Sequence, residues 1–131
     1  MHNRNEVDPA LDIVADLRRF FDRSLELARR AGIPEEHVIL DPGIGFGKTK
    51  EQNLAALAAT RDLGDYGLPI LIGISRKSIF GALLGASVEG RLIGTIAANL
   101  ITAMYGAKIF RVHDAAEHRA AFTVLDAIAN A

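Results

Sequence analysis

Polar and charged residues cluster at three places in the sequence, each directly after a short apolar run. Residues 41–48 begin with Asp41 and form a glycine-rich segment that ends in a lysine. Residues 73–78 read Gly-Ile-Ser-Arg-Lys-Ser, and residues 111–114 read Arg-Val-His-Asp. In parallel α/β folds, ligands bind beyond the carboxyl ends of the strands, so the three clusters predict one shared binding site. The alternative is three unrelated turns on the surface.

The glycine-rich segment fits neither of the common nucleotide-binding loops. Residues 47–49 resemble the end of a P-loop, but Pro42 stands where that motif needs its first glycine. A dinucleotide fingerprint that begins at Gly43 would need a glycine where Lys48 stands. Two interpretations remain: a flexible turn, or a loop whose backbone approaches a flat ligand that Asp41 binds. A carboxylate accepts two parallel N–H bonds from an amidine-like edge, and a pterin ring has such an edge.

The other two segments carry groups that suit an anion. Residues 75–78 join a strand end to a predicted helix start, where free backbone N–H groups and two cations attract negative charge. Arg111 and His113 are two residues apart, so they share one face of a strand. An arginine with a histidine suits a phosphate group. Each pattern alone is also typical of a solvated surface. Residues 75–78 could be an N-cap serine with basic neighbours, and Arg111 and His113 could be ordinary exposed side chains.

Apolar runs and helical periodicity predict the elements that position these segments. The runs indicate short strands at residues 37–41, 68–73 and 108–113. Helical spacing and capping signals indicate helices at residues 9–30, 51–63, 91–105 and 115–130. Asp8 is the predicted N-cap of the first helix, and Asp114, with Glu117, is predicted to cap the last one. One helix followed by three strand–helix units implies a parallel sheet with helical crossovers.

Composition excludes several classes of protein. The chain has 131 residues, which at about 150 residues per domain allows one domain at most. It has no cysteine, so disulfides, thiolate nucleophiles and cysteine-based metal sites are excluded. A net charge of −1 gives no sign of a nucleic-acid or membrane-surface binder. No apolar run reaches the roughly 18 residues of a membrane span, and the polar N-terminus is unlike a signal peptide, so the expected location is the cytoplasm.

Histidines outside the three segments carry no sign of a metal site. No histidine pair has the spacing of metal ligands on a helix, and no HExxH motif is present. His37 and His118 are predicted to be solvated. A metal centre built from the histidines of this sequence is therefore not expected.

Taken together, the three segments resemble the C-terminal half of dihydropteroate synthase. Residues 40–48, 73–78 and 111–114 match its characteristic segments in order and separation, and the similarity runs along essentially all 131 residues. The family fold is a (β/α)8 barrel, typically of about 250 residues. The resemblance therefore implies a partial TIM barrel with the last three parallel strands and four helices. Residues 1–131 would form a single partial pterin-binding domain that lacks the first five strands, apart from a stub at Met1.

The resemblance also implies a reaction of folate biosynthesis. The family condenses 6-hydroxymethyl-7,8-dihydropterin diphosphate with p-aminobenzoate to give dihydropteroate and diphosphate. Carbon–oxygen cleavage comes first and yields a pterin-methyl cation, so catalysis rests on electrostatics and positioning. The family's magnesium-binding asparagine and two mobile loops come from the absent first half. We therefore expect Mg²⁺ as a cofactor with its ligand outside this sequence, and little or no synthase activity from this chain alone.

The resemblance implies a set of site residues. The expected catalytic residues are Lys77, Arg111 and His113. Asp41 and Lys77 would bind the pterin from two sides, and Gly73 would leave room for the ring. Arg111 and His113 would hold the departing diphosphate, with Arg111 also stacking on the pterin.

Three further residues complete the expected substrate site. Phe46 and Ser78 would help to hold p-aminobenzoate, whose carboxylate would lie near the helix start at Ser78. Met1 would pack on the pterin. With the residues named above, the full substrate-binding set is Met1, Asp41, Phe46, Gly73, Lys77, Ser78, Arg111 and His113.

The helix at residues 91–105 predicts association. Apolar residues cover more than one of its faces, and small residues allow close approach. This fits the family's dimer through its last two helices, so the expected partners are a second copy or the missing half-barrel, besides the small-molecule substrates. Nucleic acid and membranes are not expected partners. The alternative is a helix buried within its own domain.

Two other functions stay open at this point. A pterin-binding methyltransferase domain shares the barrel and the Asp-Pro-Gly loop, but it needs no diphosphate clamp. The other is a non-catalytic truncated fragment that keeps a partial ligand site. The cations of residues 75–78 and 111–113 favour the synthase over the methyltransferase.

Overall fold

A computed structural model describes residues 7–131. Met1, with its expected contact to the pterin, lies outside the described residues. The helices in chain order are α1 (Ile13–Arg30), α2 (Lys50–Ala58), α3 (Thr60–Leu63), α4 (Ser78–Leu84), α5 (Leu92–Met104) and α6 (Ala115–Ala129). The strands are β1 (Leu71–Ile72) and β2 (Ile109–Phe110), and short 3-10 turns occupy Glu35–His37, Gly64–Tyr66 and Glu89–Arg91.

The sheet consists of two short parallel strands joined by helical crossovers. Leu71 pairs with Ile109, and Ile72 pairs with Phe110. Between these strands the chain runs through α4 and α5, which places the ends of β1 and β2 side by side at one edge of the sheet. The α/β class and the parallel arrangement are therefore confirmed.

The first predicted strand, residues 37–41, is reduced to a single bridge. Leu40 forms an isolated parallel bridge to Ile70. Its N–H donates to the Pro69 carbonyl at 2.9 Å, and its own carbonyl accepts from Leu71 N at 2.8 Å. The residues before it form a 3-10 turn, and Pro42 after it has no N–H to donate, so no longer ladder can form. The expectation of three regular strands is thus not met, although the first run does lie beside β1.

The first helix begins later than predicted, because Asp12 and not Asp8 is its N-cap. The Asp12 carboxylate accepts the N–H groups of Val14 and Ala15, both at 3.1 Å. Asp8 instead accepts from Ala10 N at 3.0 Å and so stabilises a turn ahead of the helix. The predicted start at residue 9 was therefore wrong, since two aspartates four residues apart compete for the same role.

The remaining helices lie close to the predicted ranges. Thr49 and Gln52 form a capping box at the start of α2, and a break at Ala59 divides the predicted helix 51–63 into α2 and α3. α5 ends beside Gly106, whose φ of +104° is typical of a residue that follows a helix. Asp114 occupies the N-cap position of α6, but its side chain makes no capping hydrogen bond, contrary to the prediction.

The core lies between the strands and the helices that cover them. α1 packs against α2, and α5 packs against α6. The buried apolar cluster includes Leu17, Phe21, Leu40, Ile44, Leu57, Leu63, Ile70, Ile72, Ile74, Ile79 and Phe80. These residues come from α1, α2, α3, α4, the bridge at Leu40, the glycine-rich segment and β1 with its flanking residues, so the core fixes the loops that follow the strands.

α5 buries polar residues and exposes apolar ones. Its buried side chains are Thr95, Asn99 and Thr102. On the opposite side, Ile93 is 80% exposed and Met104 is 73% exposed. This polarity is the reverse of the usual amphipathic arrangement. Within residues 7–131 no single helix is long and apolar enough to cross a membrane, although α4 and the segment Glu89–Met104, bent by 84° to each other, meet that test of length and composition together.

Candidate functional site

A cavity of about 300 Å³ lies at the carboxyl ends of β1 and β2. Its lining residues are Gly73, Ser75, Lys77, Arg111, Val112 and His113. They come from the loops that directly follow the two strands, as the sequence predicts for a parallel α/β fold. Four of the expected site residues, Gly73, Lys77, Arg111 and His113, therefore meet at one place.

Asp41 lies next to this cavity, within reach of Arg111. The Asp41 Oδ2 and Arg111 Nη2 atoms are 4.0 Å apart, and both side chains are open to solvent. Asp41 Oδ1 accepts the N–H of Gly43 at 2.8 Å, which orients the carboxylate. An exposed pair at this distance contributes little to stability, so the carboxylate stays available to another partner.

Lys77 crosses from the loop after β1 to the glycine-rich loop. Its ammonium donates to the Ile44 carbonyl and lies 4.3 Å from the centre of the Phe46 ring. Burial lowers the pKa of Lys77, while the nearby Asp41 carboxylate opposes this shift. A half-buried ammonium between a carboxylate and an aromatic ring is well placed to bind the polar edge of a flat ligand.

Hydrogen bonds with two neighbouring side chains, those of Lys48 and Asn53, fix the conformation of the glycine-rich loop (residues 43–47). Lys48 Nζ donates to the carbonyls of Gly43 at 2.8 Å and Phe46 at 3.2 Å, and burial lowers its pKa. The buried Asn53 accepts the N–H of Gly45 at 2.7 Å and donates to Thr49 O at 2.8 Å. Gly45 has a φ of +83°, a conformation that a residue with a side chain rarely adopts. Asn53 is a supporting residue that the sequence interpretation missed.

Because Gly73 has no side chain, the Arg111 guanidinium can pack directly against its backbone. A Cβ atom at Gly73 would lie 2.7 Å from Arg111 Nη2. The expectation was that Gly73 leaves room for the pterin ring. In the structure that room is taken by the arginine side chain, which would have to rotate for a ring to lie there.

His113 is joined to the loop after β1 through Ser75. Ser75 Oγ accepts the His113 backbone N–H at 3.1 Å and lies 2.8 Å from His113 Nδ1. When the hydroxyl donates to Nδ1, the proton of the neutral imidazole is on Nε2, where it can be donated to an anion. The two strand-end loops are thus connected across the cavity.

The two residues expected to bind p-aminobenzoate lie outside the lining of this cavity. Phe46 is exposed and borders a second cavity of about 210 Å³, which Asp41, Lys48 and residues of α1 also line. Ser78 is exposed at the first position of α4. Lys77, in contact with Phe46, stands between the two cavities.

His118 is buried, contrary to the prediction. It is 3% exposed, and its Nδ1 lies 2.7 Å from the Asp114 carbonyl oxygen. Its Nε2 lies 2.9 Å from Asn99 Nδ2. His118, the fourth residue of α6, gave no sequence signal for burial, because its partner Asn99 lies on another helix.

The described part of the chain offers no metal centre. Among residues 7–131, no group of three or more histidine, cysteine, aspartate or glutamate side chains could hold a metal ion.

Comparison with known proteins identifies the family. A family model described as pterin binding enzyme matches residues 1–113. Dihydropteroate synthase of Escherichia coli (strain K12) is 41% identical over 120 residues, which are 92% of this chain and 43% of that protein. The Clostridium beijerinckii dihydropteroate synthase is 42% identical over 129 residues, 98% of this chain and 48% of that protein. The chain spans about half the length of the curated relatives it matches.

Solved structures agree with this result. The Yersinia pestis dihydropteroate synthase with a sulfonamide drug matches with a TM-score of 0.90 and 41% identity, over 95% of this chain and 46% of that chain. The Xanthomonas albilineans dihydropteroate synthase with 4-aminobenzoic acid matches with a TM-score of 0.91 and 37% identity, over 98% of this chain and 49% of that chain. The resemblance seen in the three segments is confirmed, and the α/β segment corresponds to part of a TIM-barrel enzyme. The chain belongs to the family of pterin-binding enzymes, and the relatives and solved structures named above are dihydropteroate synthases.

Proposed function

We propose that this chain, as one pterin-binding domain, supplies the pterin and diphosphate side of a dihydropteroate synthase site. The reaction joins 6-hydroxymethyl-7,8-dihydropterin diphosphate to p-aminobenzoate in folate biosynthesis. The observation that carries the proposal is the cavity at the strand ends, where Lys77, Arg111 and His113 meet beside the Asp41 carboxylate. A donor-rich heterocycle with an anionic leaving group needs this combination of one acid and several cations.

Asp41 is the proposed acceptor for the pterin. Its two oxygens match two parallel N–H groups of the amidine-like edge. Arg111 lies 4.0 Å from this carboxylate, so the pterin would replace a weak ion pair with two charge-assisted hydrogen bonds. Lys77, held by the Ile44 carbonyl, would donate to the ring from the other side.

Arg111 and His113 are the proposed clamp for the diphosphate. As the carbon–oxygen bond breaks, its electron pair moves to the leaving diphosphate and the methylene carbon becomes cationic. A guanidinium and an imidazole N–H at this place stabilise the charge that develops on the oxygens. The aniline nitrogen of p-aminobenzoate then bonds to the methylene carbon and loses a proton.

The p-aminobenzoate site is proposed beside Phe46 and Ser78. Phe46 offers an exposed ring on which an aromatic substrate can pack, and its neighbour Lys77 also reaches the pterin cavity. Ser78, exposed one residue after Lys77, offers a hydroxyl. Magnesium remains part of the proposal as an ion held through residues outside this sequence. The proposed compartment is the cytoplasm, because a small molecule that carries a diphosphate does not cross membranes.

Ligand choice tests the proposal directly. By isothermal titration of the 131-residue chain, we expect the pterin diphosphate to bind at least about tenfold more tightly than a methyl-folate, a difference of roughly 1.4 kcal/mol. Inorganic diphosphate should compete with the pterin diphosphate, because both need Arg111 and His113. Equal or tighter binding of the methyl-folate would instead support a methyltransferase domain.

The exposed apolar side of α5 supports a homodimer through the last two helices. Ile93 and Met104 of α5 lie open to solvent, and so do Val124 and Ile128 of α6. We expect sedimentation to show a dimer, and Met104→Glu to convert it to a monomer, because a buried unpaired carboxylate opposes association. Leu27→Glu, which changes an exposed leucine of α1, should leave the dimer intact. A wild-type chain that stays monomeric at high concentration would contradict this part of the proposal.

Burial of Lys77 predicts a pH dependence of binding. Its lowered pKa means that the free site loses the ammonium proton below the ordinary lysine value of 10.5. Affinity for the pterin diphosphate should therefore fall as the pH rises, with a midpoint below that value. Lys77→Arg, whose guanidinium stays charged, should remove the Lys77 midpoint and leave only the titration of the ligand and of Lys48, whose pKa burial also lowers. A wild-type midpoint at or above 10.5 would be inconsistent with a half-buried ammonium in the site.

A further inference from the structure

Arg76 stands out in the loop between Ser75 and Lys77. Its φ is +56°, and among the described residues it alone has a positive φ without being glycine. L-residues rarely adopt this conformation, and it persists only where the surroundings enforce it. The residues on either side of Arg76 line the cavity, whereas Arg76 itself does not.

The backbone of Arg76 is fixed by the start of α5. Its N–H donates to Thr95 Oγ1 at 3.1 Å, and its carbonyl accepts from Arg91 Nη1 at 3.1 Å. Thr95 Oγ1 in turn donates to the Arg91 carbonyl at 2.8 Å. Since Thr95 is fully buried, this contact ties the loop to the interior of the protein.

The side chain of Arg76 reaches the other strand-end loop. Its guanidinium makes two parallel hydrogen bonds to the Asp114 carboxylate, with Nε donating to Oδ2 at 3.0 Å and Nη2 donating to Oδ1. Asp114 directly follows His113, and its side chain is 12% exposed. The Arg76 guanidinium lowers the pKa of this carboxyl group, so the pair is ionised at neutral pH.

A chain of hydrogen bonds through side chains of α6 and α5 fixes the backbone of Asp114. Its carbonyl accepts from His118 Nδ1 at 2.7 Å, and His118 Nε2 lies 2.9 Å from Asn99 Nδ2. A carbonyl can only accept, so Nδ1 carries the imidazole proton and Nε2 accepts from Asn99. Both ends of the Arg76–Asp114 pair are therefore anchored to buried groups.

We propose that Arg76 and Asp114 are positioning residues that fix the separation of Lys77 and His113 across the cavity. This inference rests on the proposed function, since it concerns the geometry of the diphosphate and pterin site. Each member of the pair adjoins one of the two binding residues in the chain. The pair therefore acts as a brace (Arg76 with Asp114) between the loops, without touching the ligand.

The direction in which one substitution changes diphosphate affinity distinguishes a positioning role from simple electrostatics. Asp114→Asn keeps the shape of the side chain and removes one negative charge near the cavity. Electrostatics alone would then strengthen binding of inorganic diphosphate, whereas loss of the brace weakens it. We expect isothermal titration to show a loss of at least about fivefold in diphosphate affinity, in contrast to the gain that Coulomb attraction alone predicts.

A double-mutant cycle tests whether the two residues act as a pair. The single variant Arg76→Ala and the double variant that also carries Asp114→Asn should weaken diphosphate binding by similar factors. The reason is that the first substitution already removes the brace. Arg76→Lys keeps the charge but not the two-pronged geometry, and should restore binding in part. Arg18→Ala is the matched control: it breaks another arginine–aspartate pair, to Asp65 at 3.0 Å, away from the cavity. It should leave diphosphate affinity unchanged.

Amide spectra give a measurement that does not depend on ligand binding. In Asp114→Asn the resonances to follow are those of Lys77 and Gly45, which lie on the loops that were not changed. In Arg76→Ala the resonance to follow is that of His113. We expect these signals to shift or broaden, while circular dichroism shows a folded chain, and to stay in place in Arg18→Ala.

The outcomes distinguish this inference from the proposed function. Tighter or unchanged diphosphate binding in Asp114→Asn would overturn the brace. If the wild-type chain binds no diphosphate, the proposed function fails for this chain and the amide signals alone decide the inference. Unmoved signals at Lys77 and His113 then overturn it, and displaced signals support it. If Asp114→Asn does not fold, Arg76→Lys replaces it: charge alone predicts an unchanged diphosphate affinity in this variant, whereas loss of the two-pronged contact predicts weaker binding.

Discussion

Replacing Asp41 with asparagine is expected to weaken pterin binding about 100-fold, which corresponds to roughly 2.7 kcal/mol. The carboxylate offers two acceptors to two N–H groups, whereas an amide turns one of them into a donor that faces another donor. The negative charge that strengthens both hydrogen bonds is also lost. The measurement is isothermal titration with a hydroxymethyl-pterin that carries no diphosphate, so that the diphosphate contacts of Arg111 and His113 do not contribute.

The control for this substitution is Asp65→Asn. Asp65 is also exposed and also faces an arginine, since Arg18 Nη1 lies 3.0 Å from its Oδ2 atom. Pterin affinity should be unchanged in this variant, because the pair lies away from the cavity. An Asp41→Asn chain that binds the pterin within about threefold of wild type, a difference below roughly 0.7 kcal/mol, would show that Asp41 does not bind it.

The second large effect concerns stability. Phe21→Ala should lower the free energy of unfolding by about 3–5 kcal/mol, because it leaves a cavity in a close-packed core. Phe21 is 2% exposed and packs edge-on against Tyr66, with ring centres 5.8 Å apart. The total stability of a domain is only about 5–15 kcal/mol, so the variant loses a large share of it. Urea unfolding followed by circular dichroism measures the loss.

The adjacent Phe20 provides a matched control for the core substitution. It is 45% exposed, so Phe20→Ala removes a ring of the same size from a surface position. Its expected loss is below about 1 kcal/mol, since little apolar area returns to water. Similar losses for the two variants would mean that α1 does not pack in solution as the structure shows.

The place where the candidate site residues meet was largely predictable because these residues follow strands. Asp41, Lys77, Arg111 and His113 each come within a few residues after an apolar run, and in a parallel sheet all such positions meet at one edge. This rule needs only the order of elements. It does not need strand lengths, which is why the site could be located although the first strand is reduced to one bridge.

Features that depend on distant partners could not be predicted. Asp114 was expected to cap α6, but its carboxylate binds Arg76, which lies 38 positions earlier in the chain. His118 was expected to be solvated, but it is buried against Asn99 of another helix. Local sequence patterns contain capping and periodicity signals, and they contain no information about which side chain arrives from elsewhere in the fold.

The start of α1 shows the same limit on a smaller scale. Asp8 followed by proline is a stronger N-cap pattern than Asp12, yet Asp12 is the residue that caps α1. The position of the core decides the matter, since Ile13 and Leu17 must both face it. Capping signals thus narrow a helix start to a few residues, and packing selects among them.

The reversed polarity of α5 inverts the usual relation between residue type and tolerance to mutation. On this helix, folding of the single chain should accept hydrophilic replacements at Ile93 and Met104, because both already face water. It should reject a leucine at Asn99, although leucine is the common choice for an interior site, because His118 would lose the amide it faces. Hydrophobicity-based substitution scores would therefore rank the variants of this one helix in the wrong order.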